Sequence, residues 1–283
     1  MTLMTNELDA VTRSANSTPF FIFNLFADYI LPYREGWAWT QDLIYLLGLL
    51  GLSERAARTT LARMKTRGWF ETVKDGRRSR YMLTDLGRAI VAEGDKRIFE
   101  EPAPSWDGQW QLVVYSLPEE LRVLRNELRK KLVWFGFGNL APGAWVAAQD
   151  RRPEVEELVS RLEIAPYVSL FAGPRIGLMS DAEIVARCWD LPALAAGYDV
   201  FLARWQPRLA TLAADLEAVP LAERFQQRFW LTFAFQPFPR QDPNLPIDLL
   251  PADWPGFAAR ALFLHYRELL SAGLPEFLAE LPA

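Results

Sequence analysis

The stretch from Ser53 to Leu83 does most to fix what this chain can become. It begins Ser53-Glu54-Arg55-Ala56-Ala57-Arg58-Thr59-Thr60-Leu61-Ala62-Arg63-Met64-Lys65-Thr66-Arg67-Gly68-Trp69 and continues to Leu83 with Asp75-Gly76 midway. Serine caps a helix start by accepting from the first-turn N–H groups, so Ser53 predicts a helix behind it. Ala57, Leu61 and Met64 recur at i, i+4 and i+7, which places them on one stripe facing a core. Arg55, Arg58, Thr59, Ala62 and Lys65 then point away from it, with Arg63 on a flank. Gly68 suits the left-handed position that ends a helix. Residues 69–74 and 78–83 predict two strands, and Asp75-Gly76 is a strong hairpin dipeptide. The order is that of a recognition helix and its wing in a winged helix-turn-helix.

Charge sharpens that reading. From Ser53 to Arg80 nine residues are Lys or Arg and three are acidic, a balance of +6 in a chain of net charge −4. The remainder must therefore carry −10, and an acidic protein with one basic segment has a place for a polyanion. Lys and Arg neutralise phosphates, while side chains on a helix in the major groove read base edges. Arg55, Arg58, Thr59 and Arg63 are expected to read bases or lie beside them. Lys74, Arg77, Arg78 and Arg80 on the wing are expected to grip backbone or enter a minor groove. A basic helix alone would equally suit an ordinary solvated face; the helix-helix-hairpin order favours double-stranded DNA.

With 283 residues, the length predicts two or three domains. One cysteine, Cys188, leaves no intrachain disulfide and suits a reducing compartment. Residues 1–16 lack the apolar run of a signal peptide. The longest apolar stretch, 19–31, is broken by Asn24 and Asp28 and falls short of the ~18 residues of a membrane span. A cytoplasmic protein with no membrane partner is expected.

Ser17 or Thr18 can cap a helix whose apolar face is Phe20, Phe23, Leu25, Phe26 and Ile30. Thr40 is expected to cap a helix running to Leu50, and Thr84 one over 85–99. The Pro102-Ala103-Pro104-Ser105 run predicts a linker. Beyond it lie an apolar strand at 109–117, a helix at 118–132, a strand at 143–148, a helix at 155–161 and a strand at 167–171. This β-α-β-β-α-β rhythm predicts a ferredoxin-like domain. Helical patterns follow at 181–190, 191–219, 221–235 and 254–270, with a proline-rich connection at 237–255. The expected class is α+β: a tail at 1–17, a winged helix-turn-helix DNA-binding domain at 18–102, a middle ferredoxin-like α/β domain at 105–180 and a C-terminal helical domain at 181–283.

The basic helix with Arg55, Arg58, Thr59 and Arg63, then Gly68-Trp69, Gly76-Arg77-Arg78-Ser79 and Tyr81-Met82-Leu83-Thr84, resembles the PaaX family of bacterial transcriptional repressors. Further blocks agree in order: Trp106-Asp107-Gly108-Gln109-Trp110, Gly136-Phe137-Gly138 with Leu140-Ala141-Pro142-Gly143, Asp242-Pro243 with Leu245-Pro246, Leu249-Leu250-Pro251 and Asp253-Trp254-Pro255-Gly256. The resemblance runs from about 18 to 270. It implies a DNA-binding repressor of an aromatic-acid (phenylacetate-type) catabolic operon, released from its operator by an aryl-CoA thioester such as phenylacetyl-CoA. It also implies a homodimer, since such operators are inverted repeats. The middle domain resembles the small metal-dependent nucleases of CRISPR adaptation systems, which place an aspartate at the end of the first strand. Here that stretch is Val113-Val114-Tyr115-Ser116-Leu117, without a carboxylate, and Asp107 lies before the strand. No enzyme, metal or cofactor is therefore expected. The rival class is an enzyme, either a nuclease on the middle domain or an acyl-CoA hydrolase.

Coenzyme A carries several phosphate charges, so a pocket for it should offer Arg beside aromatic surface. Arg204 with Trp205, Arg228 with Trp230, and Arg267 with Tyr266 have that chemistry, which many amphipathic helices share. His265, the one histidine, is read as a packed or surface residue in preference to a base. Cys188 is read as a small buried hydrophobe in preference to a nucleophile. Gly136 and Gly138 lack the third glycine of a dinucleotide fingerprint and favour a structural kink. Trp37, Trp39 and Trp110 are expected as core or packing anchors. Residues 229–235 form a run expected in a buried helix or a dimer seam.

Overall fold

In the computed structural model, residues 18–101 and 105–281 are described. The expected tail at 1–17, with Ser17, and Pro102 to Pro104 of the expected linker lie outside the described residues.

The apolar residues after Thr18 form one helical rod. α1 (Thr18–Leu25) passes into a π-helical turn (Phe26–Ile30) and a last turn at Leu31–Tyr33. Phe21, Ile22, Leu25, Phe26, Tyr29 and Ile30 are buried along it. Next comes β1 (Trp37–Trp39), a strand not expected from sequence, which pairs antiparallel with a later strand at Arg78–Leu83, β3, through Trp37↔Met82 and Trp39↔Arg80. α2 (Thr40–Leu49) follows. Thr40 does not cap it: Trp39 holds the cap position without a side-chain bond, and the Thr40 hydroxyl donates to Ser79 O at 2.8 Å. Because β3 lies within reach, that hydroxyl satisfies a strand carbonyl instead of a helix start.

α3 (Glu54–Thr66) begins as expected, with the Ser53 side chain accepting from Ala56 N at 3.3 Å. β2 (Phe70–Asp75) and β3 (Arg78–Leu83) form the expected hairpin, with Gly76 at φ +57° in its turn. The sheet has the order β1-β3-β2. Thr84 caps α4 (Asp85–Ile98) by accepting from Gly87 N.

The second sheet is antiparallel with the order β5-β6-β4-β7. Its strands are β4 (Gln109–Tyr115), β5 (Gly138–Ala141), β6 (Ala144–Ala147) and β7 (Val168–Pro174), with α5 (Arg122–Trp134) and α6 (Arg152–Arg161) between them in sequence. Val113, Leu128, Leu132, Trp145, Val155 and Leu158 form its core. Gly136 is a true kink, at φ +87°, where a Cβ would lie 2.6 Å from Pro243 O. The rest is helical: α7 (Asp181–Cys188), α8 (Leu191–Ala214), α9 (Leu221–Phe235), α10 (Pro237–Gln241), α11 (Pro255–Leu269) and α12 (Leu274–Ala279). No helix among the described residues is long and apolar enough to cross a membrane.

The described residues form two compact units. One comprises 18–99, 206–234 and 263–281; the other comprises 100–101, 105–205 and 235–262. In the first, aromatic stacking joins α1 to α9: Phe21 lies 5.3 Å from Phe229 and 5.1 Å from Phe233, nearly parallel to both. Tyr29 donates to Phe225 O at 3.3 Å, and Leu274 and Leu278 of α12 close the same core. The run at 229–235 is thus a helix with buried residues, Phe229 and Leu231 among them.

Candidate nucleic-acid interface

The amphipathic pattern of α3 works out as its spacing requires. Ala57, Thr60, Leu61 and Met64 are buried, whereas Arg55, Arg58, Thr59, Ala62, Arg63 and Lys65 are exposed. On the hairpin Lys74, Arg77 and Arg78 are exposed and Arg80 is half-buried. Arg58 Nε donates to Glu54 Oε1 at 2.8 Å, an exposed i,i+4 pair. Such pairs are worth only about 0.3–0.5 kcal/mol, so Glu54 holds the Arg58 guanidinium only weakly.

Several contacts fix helix and hairpin to one another. Lys65 Nζ donates to Thr72 Oγ1 at 2.5 Å, joining α3 to β2. Thr84 Oγ1 donates to Gly68 O at 2.6 Å, joining the end of α3 to the start of α4. The Arg67 guanidinium lies 5.0 Å from the Trp69 ring centre.

β1 adds a feature that sequence reasoning missed. Trp37 and Trp39 are half-buried, their rings 5.3 Å apart at 83°. The Arg80 guanidinium lies over Trp37 at 5.1 Å and that of Arg78 over Trp39 at 5.8 Å. Arg80 Nε is buried with no hydrogen-bond partner, beside the face of the Trp37 indole. An open groove of about 700 Å³ is lined by Trp39, Thr40, Tyr45, Arg58, Arg77 and Arg78, among others. In this three-residue strand Trp37 and Trp39, at i and i+2, share one face. Burial pushes the Tyr81 phenol up, and the Arg58 charge pulls part of that shift back. Asp42, fully buried, is raised by burial and held down in part by Arg34, whose Nη2 donates to Asp42 Oδ2 at 2.8 Å, and by the charge of Arg78.

The aromatic-basic pairs considered for an effector lie elsewhere. Arg228 is 2% exposed, donates to Asp28 O at 3.2 Å and to Ser271 Oγ at 3.1 Å, and lies over the Tyr29 ring at 4.8 Å. Arg267 Nη2 donates to Asp28 Oδ1 at 2.6 Å and lies over Phe99, while Thr232 Oγ1 donates to Asp28 Oδ2 at 3.0 Å. These arginines thus converge on one buried carboxylate. Trp230 packs edge-on against Phe21, and Tyr266, buried, donates to Gln227 Oε1 at 3.2 Å. Burial raises the Tyr266 phenol to about 12. Asp95 is pushed up to about 6 by burial and by the charge of Asp28, with Arg267 acting against them. Arg204 lies over Trp205 at 5.6 Å in the other unit.

In that unit a second cavity of about 760 Å³ lies beside α7 and the start of α8, lined by Val185, Cys188, Trp189, Leu191 and Leu249. Trp110 is buried, stacks on Trp189 at 6.2 Å and donates from Nε1 to Asp181 Oδ1 at 3.0 Å. Burial pushes the Cys188 thiol up to about 11, so at neutral pH it stays protonated. His265 is exposed on α11.

Comparison with known proteins agrees along the chain. Residues 15–87 match the model of the PaaX-like protein family, 103–185 the PaaX protein central Cas2-like domain, and 189–280 the PaaX-like protein C-terminal domain. The Transcriptional repressor PaaX of Escherichia coli (strain K12) is 29% identical over 282 residues, which span 99% of this chain and 87% of that protein. Among solved structures, the uncharacterized protein Rv0674 from Mycobacterium tuberculosis matches with a TM-score of 0.59 and 24% identity, covering 88% of this chain and 95% of that one. The latter likeness bears on fold alone. With three successive models matched in order, the chain belongs to the PaaX family.

Proposed function

We propose that this protein is a DNA-binding transcriptional repressor of a phenylacetate-type aromatic-acid catabolic operon, released from its operator by an aryl-CoA thioester. The observation that carries the reading is the outward cationic face of α3 and the β2–β3 hairpin in a member of the PaaX family. Arg55, Arg58, Thr59 and Arg63 meet base edges or the phosphates beside them; Lys74, Arg77, Arg78 and Arg80 meet backbone. Residues 18–102 act as a winged helix-turn-helix, 105–180 as a ferredoxin-like domain and 181–283 as a helical domain. The sheet order β5-β6-β4-β7 with α5 and α6 supports the middle assignment. The repressor acts as a cytoplasmic homodimer with its two recognition helices in successive major grooves. It is not an enzyme, and it uses no metal or cofactor. Effector binds better to the conformation whose recognition helices are misplaced for those grooves, which shifts the population off the operator.

A mobility-shift titration on fragments upstream of aromatic-acid catabolic genes tests this. Retardation that phenylacetyl-CoA reverses and phenylacetate does not is expected. Arg58→Ala should weaken operator binding by about 1–3 kcal/mol if it pairs with a guanine. Failure to retard any such fragment, or a complex indifferent to every aryl-CoA, contradicts the reading. Cleavage of labelled DNA on adding divalent metal would favour the nuclease class instead.

A further inference from the structure

Trp37 and Trp39 each present a ring face to an arginine of β3. Both are half-buried on a three-residue strand, and each ring has one guanidinium over it, Arg80 on Trp37 and Arg78 on Trp39. The two indoles brace one another edge to face, and the Thr40 hydroxyl ties the next residue to Ser79 O, between those arginines. The groove beside Trp39 receives Arg58 from α3 and Arg77 and Arg78 from the hairpin. No carboxylate is among its described lining residues. Glu54 faces Arg58 from outside the groove, and Asp42 is buried and paired with Arg34.

We propose that this groove is a seat for one backbone phosphate of duplex DNA, and that Trp39 is a positioning residue that holds Arg78 ready for it. The inference rests on the DNA-binding reading above and adds where a phosphate sits and what orders its ligands. A free arginine loses rotamer freedom on binding a phosphate; one already stacked on an indole loses less. The indoles contribute no charge. Their removal should therefore lower affinity without changing how many counterions the complex releases.

The experiment is fluorescence anisotropy of a random-sequence duplex across a range of salt concentrations, with the full chain. Trp39→Leu should weaken binding about two- to fivefold at each salt concentration, with the log–log slope unchanged. Arg78→Ala should flatten the slope by about 0.9, because one phosphate is no longer neutralised. In the Arg78→Ala background Trp39→Leu should have no further effect, because the ring then has nothing to position. Trp39→Phe keeps an aromatic face and should fall between wild type and Leu, which preserves the test if Trp39→Leu folds poorly. Equal losses in both backgrounds, a changed slope for Trp39→Leu, or a Phe variant no better than Leu would overturn the platform while leaving DNA binding intact. A wild type with no salt-dependent affinity would overturn the DNA reading and this inference with it.

Discussion

Arg228→Met should be among the most damaging single substitutions in this protein. The side chain is 2% exposed and the Asp28 it serves is 3% exposed. Methionine fills a similar length without a charge, so the change isolates the guanidinium. Several contacts are lost, among them the bond to Arg267 O at 3.4 Å and the stack on Tyr29. The Asp28 carbonyl, inside the π-helical turn, loses the Arg228 donor at 3.2 Å. Ser271 Oγ loses a donor at 3.1 Å. The Asp28 carboxylate loses one of two nearby cations, Arg228 Nη1 at 3.8 Å, and keeps Arg267 at 2.6 Å. An uncompensated buried carbonyl costs about 1–3 kcal/mol, and breaking a buried ion pair about 3–5 kcal/mol. Because Arg267 and Thr232 remain on the carboxylate, about 3–4 kcal/mol in all is expected. That is a large share of the ~5–15 kcal/mol that holds a typical domain folded. Thr232→Val, which removes only one neutral donor at 3.0 Å, should cost about 1 kcal/mol. Urea unfolding followed by circular dichroism reads both as shifts in midpoint. An Arg228→Met loss no larger than that of Thr232→Val would refute the claim that the guanidinium is what compensates the buried turn.

Further consequences are open to simple assays. Asp95 has a carboxyl raised to about 6, above its unfolded value of 3.8, so its contribution is full below about pH 4 and lost as pH rises through 6. Asp95→Asn should therefore leave the melting temperature unchanged below about pH 4 and raise it above pH 6; equal effects at both ends would contradict the burial argument. Cys188, raised to about 11, should react slowly with a maleimide near neutral pH and quickly once denatured; fast labelling of the native chain would show that the thiol is neither desolvated nor shielded. Gly136→Ala should destabilise by more than about 1 kcal/mol, since it combines a positive φ with a Cβ 2.6 Å from Pro243 O; a neutral result would mean that the two segments separate freely.

The parts of the candidate site that were legible in the sequence are those built from local signals. Ser53, the Ala57-Leu61-Met64 stripe, Gly68 and Asp75-Gly76 each act within a few residues, so residue order alone places α3 and its hairpin. β1 was not legible because three residues make no strand alone; Trp37 and Trp39 become one only when β3, far downstream, offers its edge. For the same reason Thr40 was misread, since capping and bonding to Ser79 are equally open to a threonine until β3 is in place. The apolar face expected of α1, Phe20, Phe23, Leu25, Phe26 and Ile30, announced burial without naming a partner and omitted Phe21, which the fold brings onto Phe229. Arg228 and Arg267 carried the chemistry of an anion pocket, yet Asp28, some two hundred residues earlier in the chain, is what they meet. Long-range pairing of this kind leaves no spacing rule to read.

Counterion release gives the most direct test of whether the face of α3 and its wing engages duplex DNA. The affinity of the full chain for a duplex should be measured against salt concentration for wild type and for a variant with Arg55, Arg63, Arg77 and Arg78 all replaced by Ala. A steep log–log slope for wild type, shallower in the variant by about 0.9 for each phosphate left without its arginine, is the predicted result. Identical slopes for the two proteins would contradict the account.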